Sequence, residues 1–393
     1  MKKTKIVIPL EARKHLDFDE QTPLSMTIRH NVIDVRPSRL IDVLPEIKLH
    51  WFLIPAALCA LLFFAYCYDR GQLLIPLNGQ WSMATYASVL SITSGVLTFG
   101  WDFIRQKIHN HGAAKDFRWR ALIPLVIAIG MILAIWFVMS FWLLDRMFNG
   151  AAFDIYTSTV FVFLINAAVN YLMINLAMTI SPVIVTNLMT IMVIGGVVGS
   201  MMTNDHKDWW KYNFSFLGTQ KSAANMEFNV TLIFSALLMM ALIDYLFVDL
   251  QRKYQQVGVL FLKLLLYALS LTLGGIGLFP NNPQFHVLHD RIAMWLVYFM
   301  LIMIVFIGRL LPECSRSFRH LSYIIGAILA ADYLIFKITN YLSLTAFELS
   351  SFALAFSWIL LLLQNIEALT ELGEQIFPVE IEVQTTEKQK NND

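Results

Sequence analysis

The sequence predicts an all-α, polytopic helical membrane protein of about ten transmembrane helices, with N-terminus and C-terminus both cytoplasmic. Three observations carry that expectation. Hydrophobic residues make up 57% of the 393 residues and charged residues only 15%, with a mean hydropathy of +0.61, whereas a soluble domain carries roughly 25% charged residues. The charges are gathered into short clusters between long apolar runs, the pattern of helices that satisfy their own backbone groups in lipid. Lys and Arg are also shared unevenly between alternate loops, which sets orientation. A net charge of +1 gives no case for a nucleic-acid partner, so the expected partner is the bilayer. Three cysteines, Cys59, Cys67 and Cys314, form neither a disulfide framework nor a metal-knuckle spacing.

Residues 1–50 hold nine Lys/Arg, seven Asp/Glu and the prolines Pro9, Pro23, Pro37 and Pro45. They read as a largely irregular cytoplasmic segment with at most a short interfacial helix, and no cleaved targeting segment is expected. Ten apolar runs follow, at roughly 51–67, 84–104, 121–144, 156–178, 183–202, 228–249, 257–279, 292–308, 321–337 and 345–364. Each is near the ~17–25 residues that cross the hydrocarbon. The second is diluted by Ser91, Thr93, Ser94 and Gly100. Charge settles it: 1–50 and 105–120 are both basic, and placing both inside requires an even number of crossings between them. With ten spans the inner segments hold 21 Lys/Arg and the outer ones 6. Trp51, Trp101 and Trp119 then fall at the inner interface, and Trp81, Trp142, Trp209 and Trp210 at the outer one. The acidic tail from 365 to 393 has a composition that stays solvated and disordered.

Only Thr179 to Pro182 separate the fourth and fifth spans, which implies a tight antiparallel hairpin. The boundary between a four-span part, 51–182, and a six-span part, 183–364, is placed there. Asp244 and Lys263 lie at similar depth on neighbouring spans and read as a structural ion pair, since an isolated charge at mid-depth costs about 2.5–3.5 kcal/mol. Asn166 and Asn170 share a helix face and suit interhelical hydrogen bonding. Gly195 and Gly199 form a Gly-x-x-x-Gly that permits close helix approach. Asp332, Lys337 and Glu348 belong near the outer ends of the last two spans.

The candidate site lies between Met201 and Arg291, where two polar, glycine-bearing loops flank a double-span hairpin and must meet on one side. Pro280 ends the seventh span, and the glycines Gly274, Gly275 and Gly277 loosen its last turns, leaving carbonyls free for a cavity. His289 and Asp290 stand at the entry of the eighth span, with Asp290 as a helix cap and His289 facing inward. Asn213, Ser215 and Asn229 add uncharged donors and acceptors. Ligand-binding candidates are therefore Asn213, Ser215, Gly218, Asn229, Gly277, Pro280, His289, Asp290 and Asp332. His289 as base and Ser215 as nucleophile are the catalytic candidates. The alternative is a rigid, hydrogen-bonded outer cap that closes the bundle. His286-x-x-His289 lacks the glutamate and spacing of a zinc motif, and no metal or cofactor is indicated.

The motifs Asn213-Phe-Ser-Phe-Leu-Gly218, Phe228-Asn229, Gly275-Ile-Gly277-Leu-Phe-Pro280 and His289-x-x-x-Ala293 resemble the bacterial domain-of-unknown-function 998 family, itself distantly like the Frag/DRAM/Sfk group of six-span membrane proteins. The resemblance covers about 183–364. An acidic residue commonly precedes the Leu-Gly in that family, where this chain has Phe216. The resemblance implies a six-span fold and its topology; the family has no settled activity, so the fold does not yield a function. The whole chain reads as a ten-span protein of a bacterial plasma membrane. The first reading of function is an outward-facing polar pocket that binds or transports a lipid headgroup or small solute. Two alternatives stand beside it: a membrane-embedded enzyme acting on lipid or envelope precursors, and a structural or regulatory partner subunit. The sequence leaves the oligomeric state and the choice between enzyme and non-enzyme open.

Overall fold

The computed structural model describes residues 47–109, 112–148, 150–206, 208–339 and 341–371, and the strands at 4–8, 24–29, 32–37 and 375–383. The strands, Asp116 and Glu371 are described by backbone alone. Ten helices succeed one another: α1 (Leu49–Asp69), α2 (Met83–Ile108), α3 (Leu122–Met147), α4 (Ile155–Thr179), α5 (Pro182–Thr203), α6 (Asn225–Lys253), α7 (Val257–Leu278), α8 (His286–Leu310), α9 (Arg316–Leu334) and α10 (Leu344–Glu371). A π-helical turn, Ile335–Thr339, extends α9. All ten are long and apolar enough to cross a membrane, and each overlaps one of the expected runs, with ends that differ by a few residues. The polar-diluted second run is a continuous helix of 26 residues. An even number of crossings brings the start of α1 and the finish of α10 to one end of the bundle, here the terminal end.

Short polar residues fix where the helices begin. Ser82, Ser181 and Ser315 accept from the backbone N–H of Thr85, Ile184 and Phe318, each three residues on, which satisfies an orphan donor of the first turn. Asp154 caps α4 through the N–H groups of Tyr156 and Thr157 at 2.9 and 3.0 Å. The Thr157 hydroxyl, reinforced by its N–H, holds the Asp154 carboxyl below its ordinary range. Residues Leu74–Pro76 (β4) and Ala152–Asp154 (β5) pair as an antiparallel ribbon. It ties the α1–α2 loop to the α3–α4 loop at the end opposite the termini.

Packing makes α6 the centre of the bundle: 67% of its most apolar window is buried, against 11% for α9. α6 packs on α5, α7 and α3; α8 packs on α7, and α9 on α8. The fourth and fifth helices correct the expected hairpin. Their turn is as short as foreseen, Ile180 and Ser181, yet α4 packs on α1 and α2 while α5 packs on α3 and α6. Pro182 in the first turn of α5 and the extended backbone of Ser181 redirect the chain, so the helices diverge. The contacts of α3 with α5 and α6 cross the expected boundary at 182, and Ile47–Glu367 forms one compact unit.

Two readings of polar and small residues divide. Asn166 and Asn170 do join helices, accepting from the hydroxyls of Ser94 at 3.0 Å and Thr98 at 3.2 Å on α2. The Gly195/Gly199 pair does not. A Cβ at either would meet nothing within 4 Å, whereas one at Gly196 would collide with Thr231 of α6. The close approach uses the glycine one position along, because that face of α5 is the one turned to α6.

A second compact unit comprises residues 1–46 and 368–393. Its strands β1 (Thr4–Ile8), β2 (Leu24–Arg29), β3 (Val32–Pro37) and β6 (Gln375–Val383) form one sheet in the order β1-β6-β2-β3. β6 runs parallel to β1, with Ile381 opposite Ile6, and antiparallel to β2, with Phe377 opposite Met26. This overturns the irregular N-terminal segment and, over 375–383, the disordered tail. The residues carry a period of two that composition hides: Phe377, Val379, Ile381 and Val383 alternate with Pro378, Glu380 and Glu382, a strand pattern.

Candidate functional site

At the end opposite the termini, the chain after α5 makes a 3-10 turn at Phe214–Gly218. Phe214 explains why the turn sits there. Its ring meets Phe228 of α6 edge-on at 5.2 Å and lies 5.4 Å from Phe352 of α10, above a core that includes Leu217, Leu232 and Val197. One helical turn before Phe352, Glu348 reaches the same place. Its Oε2 accepts from the Phe214 backbone N–H at 2.5 Å, beside the N–H of Ser215.

The sequence-chosen residues fall into connected contacts. Asn229 Nδ2 donates to the Gly218 carbonyl at 2.8 Å. A Cβ on Gly277 would stand 2.6 Å from the Asn229 carbonyl oxygen and 2.9 Å from Ile233, so Gly218, Asn229 and Gly277 are one tight junction of turn, α6 and α7. Pro280 follows the end of α7, where the Phe279 N–H closes on the Gly275 carbonyl at 2.9 Å. That bond, together with the packing of Gly277 on α6, replaces the expectation of free glycine carbonyls facing a cavity. The two loops do meet: the Gln220 N–H donates to Asn282 Oδ1 at 2.9 Å.

His289 is buried as expected, 4% exposed, with Nδ1 2.8 Å from the Phe279 carbonyl. No hydrogen bond joins it to Ser215 among the described residues. Asp290 is not a cap. α8 begins at His286, one turn before Asp290, because the polar residues 286–291 continue the helix beyond the apolar run. Asp290 instead lies exposed, its Oδ2 3.5 Å from Nε2 of His286, whose Nδ1 is 2.6 Å from Asn281 Oδ1. Asp332 is occupied separately, accepting from Ser350 at 2.5 Å and Ser351 at 3.3 Å. It is thereby bound to the same α10 that carries Glu348, but among the described residues no hydrogen bond links it to Asn213, Ser215 or His289.

Two relationships escaped the sequence reading. The sequence puts Glu348 near this level but not on the turn, and the contact bridges 134 residues with no local signal. At the terminal end, Asp244 pairs not with Lys263 but with Arg120, Arg118 (3.5 Å) and Tyr267. Lys263 donates to Gln251 Oε1 at 2.9 Å. Equal depth on adjacent helices suggested the wrong partner because the α2–α3 loop returns over α6, where Phe117 packs on Tyr245 at 4.6 Å between centroids.

Residues 188–365 match the family described as "Protein of unknown function (DUF998)". The match runs from α5 to α10 and takes in every residue of the polar layer above. The resemblance read from the four short motifs is therefore the family that the longer stretch matches. No curated protein and no solved structure matches the chain. Ten helices long and apolar enough to cross a membrane make the chain a multi-pass membrane protein, and the description of the family matched over 188–365 names no activity.

Proposed function

We propose that the DUF998 part binds a polar lipid headgroup or small solute at this layer, in a bacterial plasma membrane, with both termini cytoplasmic. The supporting observation is the Glu348 carboxylate, brought from α10 onto the turn that carries Asn213 and Ser215. A carboxylate partly withdrawn from water, with the Asp290 carboxylate acting on it electrostatically, favours an amine-bearing or polyhydroxyl group over an anion. The enzyme alternative has less support, since no hydrogen bond joins His289 to Ser215 among the described residues, although the Nδ1 contact with the Phe279 carbonyl leaves Nε2 as the basic nitrogen. The test is native mass spectrometry of the detergent-purified protein with its co-purifying lipids. Glu348→Gln and Ser215→Ala should retain wild-type melting and lose a bound lipid or solute; unchanged ligand content in both rejects the reading.

The structural-cap alternative rests on its own observation: Asn229, Asn282 and His289 each bond a backbone atom. On that reading Asn282→Ala and His289→Ala lower the melting temperature together and leave ligand content tied to folding alone.

A further inference from the structure

The four-span part holds a polar stripe that the layer above does not involve. On α2, Ser91, Ser94, Thr98, Asp102 and Gln106 recur at three- and four-residue spacing, and hence on one face. From Ser91 to Gln106 the stripe rises about 22 Å, most of a hydrocarbon core of about 30 Å. Asn166 and Asn170 of α4 meet it at Ser94 and Thr98. Towards the terminal end, Asp102 is 4% exposed. Its Oδ1 is 3.0 Å from an Arg105 guanidinium nitrogen, and its Oδ2 accepts from Gln106 Nε2 at 2.8 Å. Gln106 Nε2 also donates to the Ala177 carbonyl at 3.0 Å.

Interhelical glue alone would leave these groups satisfied, and it does not. Ser91 Oγ, Asn170 Nδ2 and Arg105 Nε are buried with no hydrogen-bond partner among the described residues. They lie along the stripe at the Ser91, Thr98 and Asp102 levels, and unpaired buried polar atoms are costly and uncommon. Their chemistry selects the occupant. Asn170 Nδ2 and Arg105 Nε only donate, which disfavours a metal cation. Asp102 disfavours an anion. Ser91 Oγ can both donate and accept. Water meets all three. The Ser91 and Thr98 levels are about 10.5 Å apart along the helix and the Thr98 and Asp102 levels about 6 Å, gaps that about three waters and about one water span at ordinary hydrogen-bond lengths.

We propose that the α2–α4 interface is a hydrated path: a file of water held at Ser91, Asn170 and Arg105, open to the aqueous phase and giving the buried Asp102 carboxylate contact with it. The test uses silver ion, a small water-borne thiol reagent, on the full-length protein in membranes. Single Ser91→Cys and Thr98→Cys variants are exposed to silver, denatured and alkylated, and protection is mapped by peptide mass. Leu97→Cys, on the lipid-facing side of the same helix at 65% exposure, is the control. The path predicts that Ser91→Cys and Thr98→Cys react at least about tenfold faster than the control, because only a hydrated thiol ionises to the reactive thiolate. Adding Asn170→Leu should slow the reaction at Ser91→Cys. Reaction at either stripe position no faster than at Leu97→Cys, in a variant that purifies as a folded protein, overturns the path. Thr98→Cys keeps the test decisive should Ser91→Cys not fold.

Discussion

Asn229 donates its side-chain amide to the Gly218 carbonyl at 2.8 Å, and a methyl group placed on Gly218 would stand 2.5 Å from the Oδ1 of that same amide. The glycine is required by its neighbour's reach. Gly218→Ala forces the amide away from the carbonyl it bonds, so a loss of about 1–3 kcal/mol is expected. Gly277→Ala should cost more. Its new Cβ meets the Asn229 backbone carbonyl at 2.6 Å, and a backbone atom cannot swing aside as an amide can. Gly195→Ala, with nothing within 4 Å, should be near neutral. Thermal melting of the three variants in detergent checks the order; a Gly195→Ala as damaging as Gly277→Ala would contradict it.

Asp244 makes a second ordering. Its side chain is 5% exposed, and its partners Arg118 and Arg120 are 51% and 59% exposed. Removing one arginine leaves the other, and solvent screens both, so each single Arg→Ala change should cost about 1 kcal/mol or less. Asp244→Leu with both arginines present should be tolerated better than Arg118→Ala/Arg120→Ala, which strands a carboxylate. Lys263→Met should be close to neutral for the Asp244 contact, because Lys263 bonds Gln251. If Lys263→Met destabilises as much as the double arginine variant, Asp244 is relying on Lys263 after all.

How far the sequence speaks depends on the range of each interaction. The ten spans are legible because a crossing helix writes its length and apolarity into consecutive residues, and even Ser91 and Ser94 do not mask 84–104. His289 is legible as inward because its helix face is periodic. The partner of Asp244 is not, since Arg118 and Arg120 are over 120 residues away in sequence and come from a loop, not a helix at matching depth. Glu348 is silent for the same reason. β6 is a different failure: its alternation is local, but Glu380 and Glu382 made the tail read as solvated.

Orientation has its own experiment. The split of 21 inner against 6 outer Lys/Arg is the motive for placing the termini in the cytoplasm. Single cysteines at Asn78, Lys221 and Gln284, all exposed at the end opposite the termini, should label in intact cells with an impermeant thiol reagent. One at Glu313, exposed at the terminal end, should label only after permeabilisation. His111, in the basic segment 105–120, lies outside the described residues. Labelling of Glu313→Cys in intact cells with protection at Asn78→Cys reverses the orientation.

The last expectation concerns β6, which lies between β1 and β2 in the sheet. Ending the chain after Glu371 removes the strand that joins them. What remains is β1 without a partner and the two-stranded β2–β3 hairpin, paired from Leu24↔Pro37 to Arg29↔Val32. An isolated hairpin is marginally stable in water. Limited proteolysis should therefore cut within 1–46 much faster in the truncated chain than in the full one. The helical unit spans Ile47–Glu367 and keeps its own core, so its melting should change little. Equal cleavage of 1–46 in both chains would mean that β6 does not hold the sheet together.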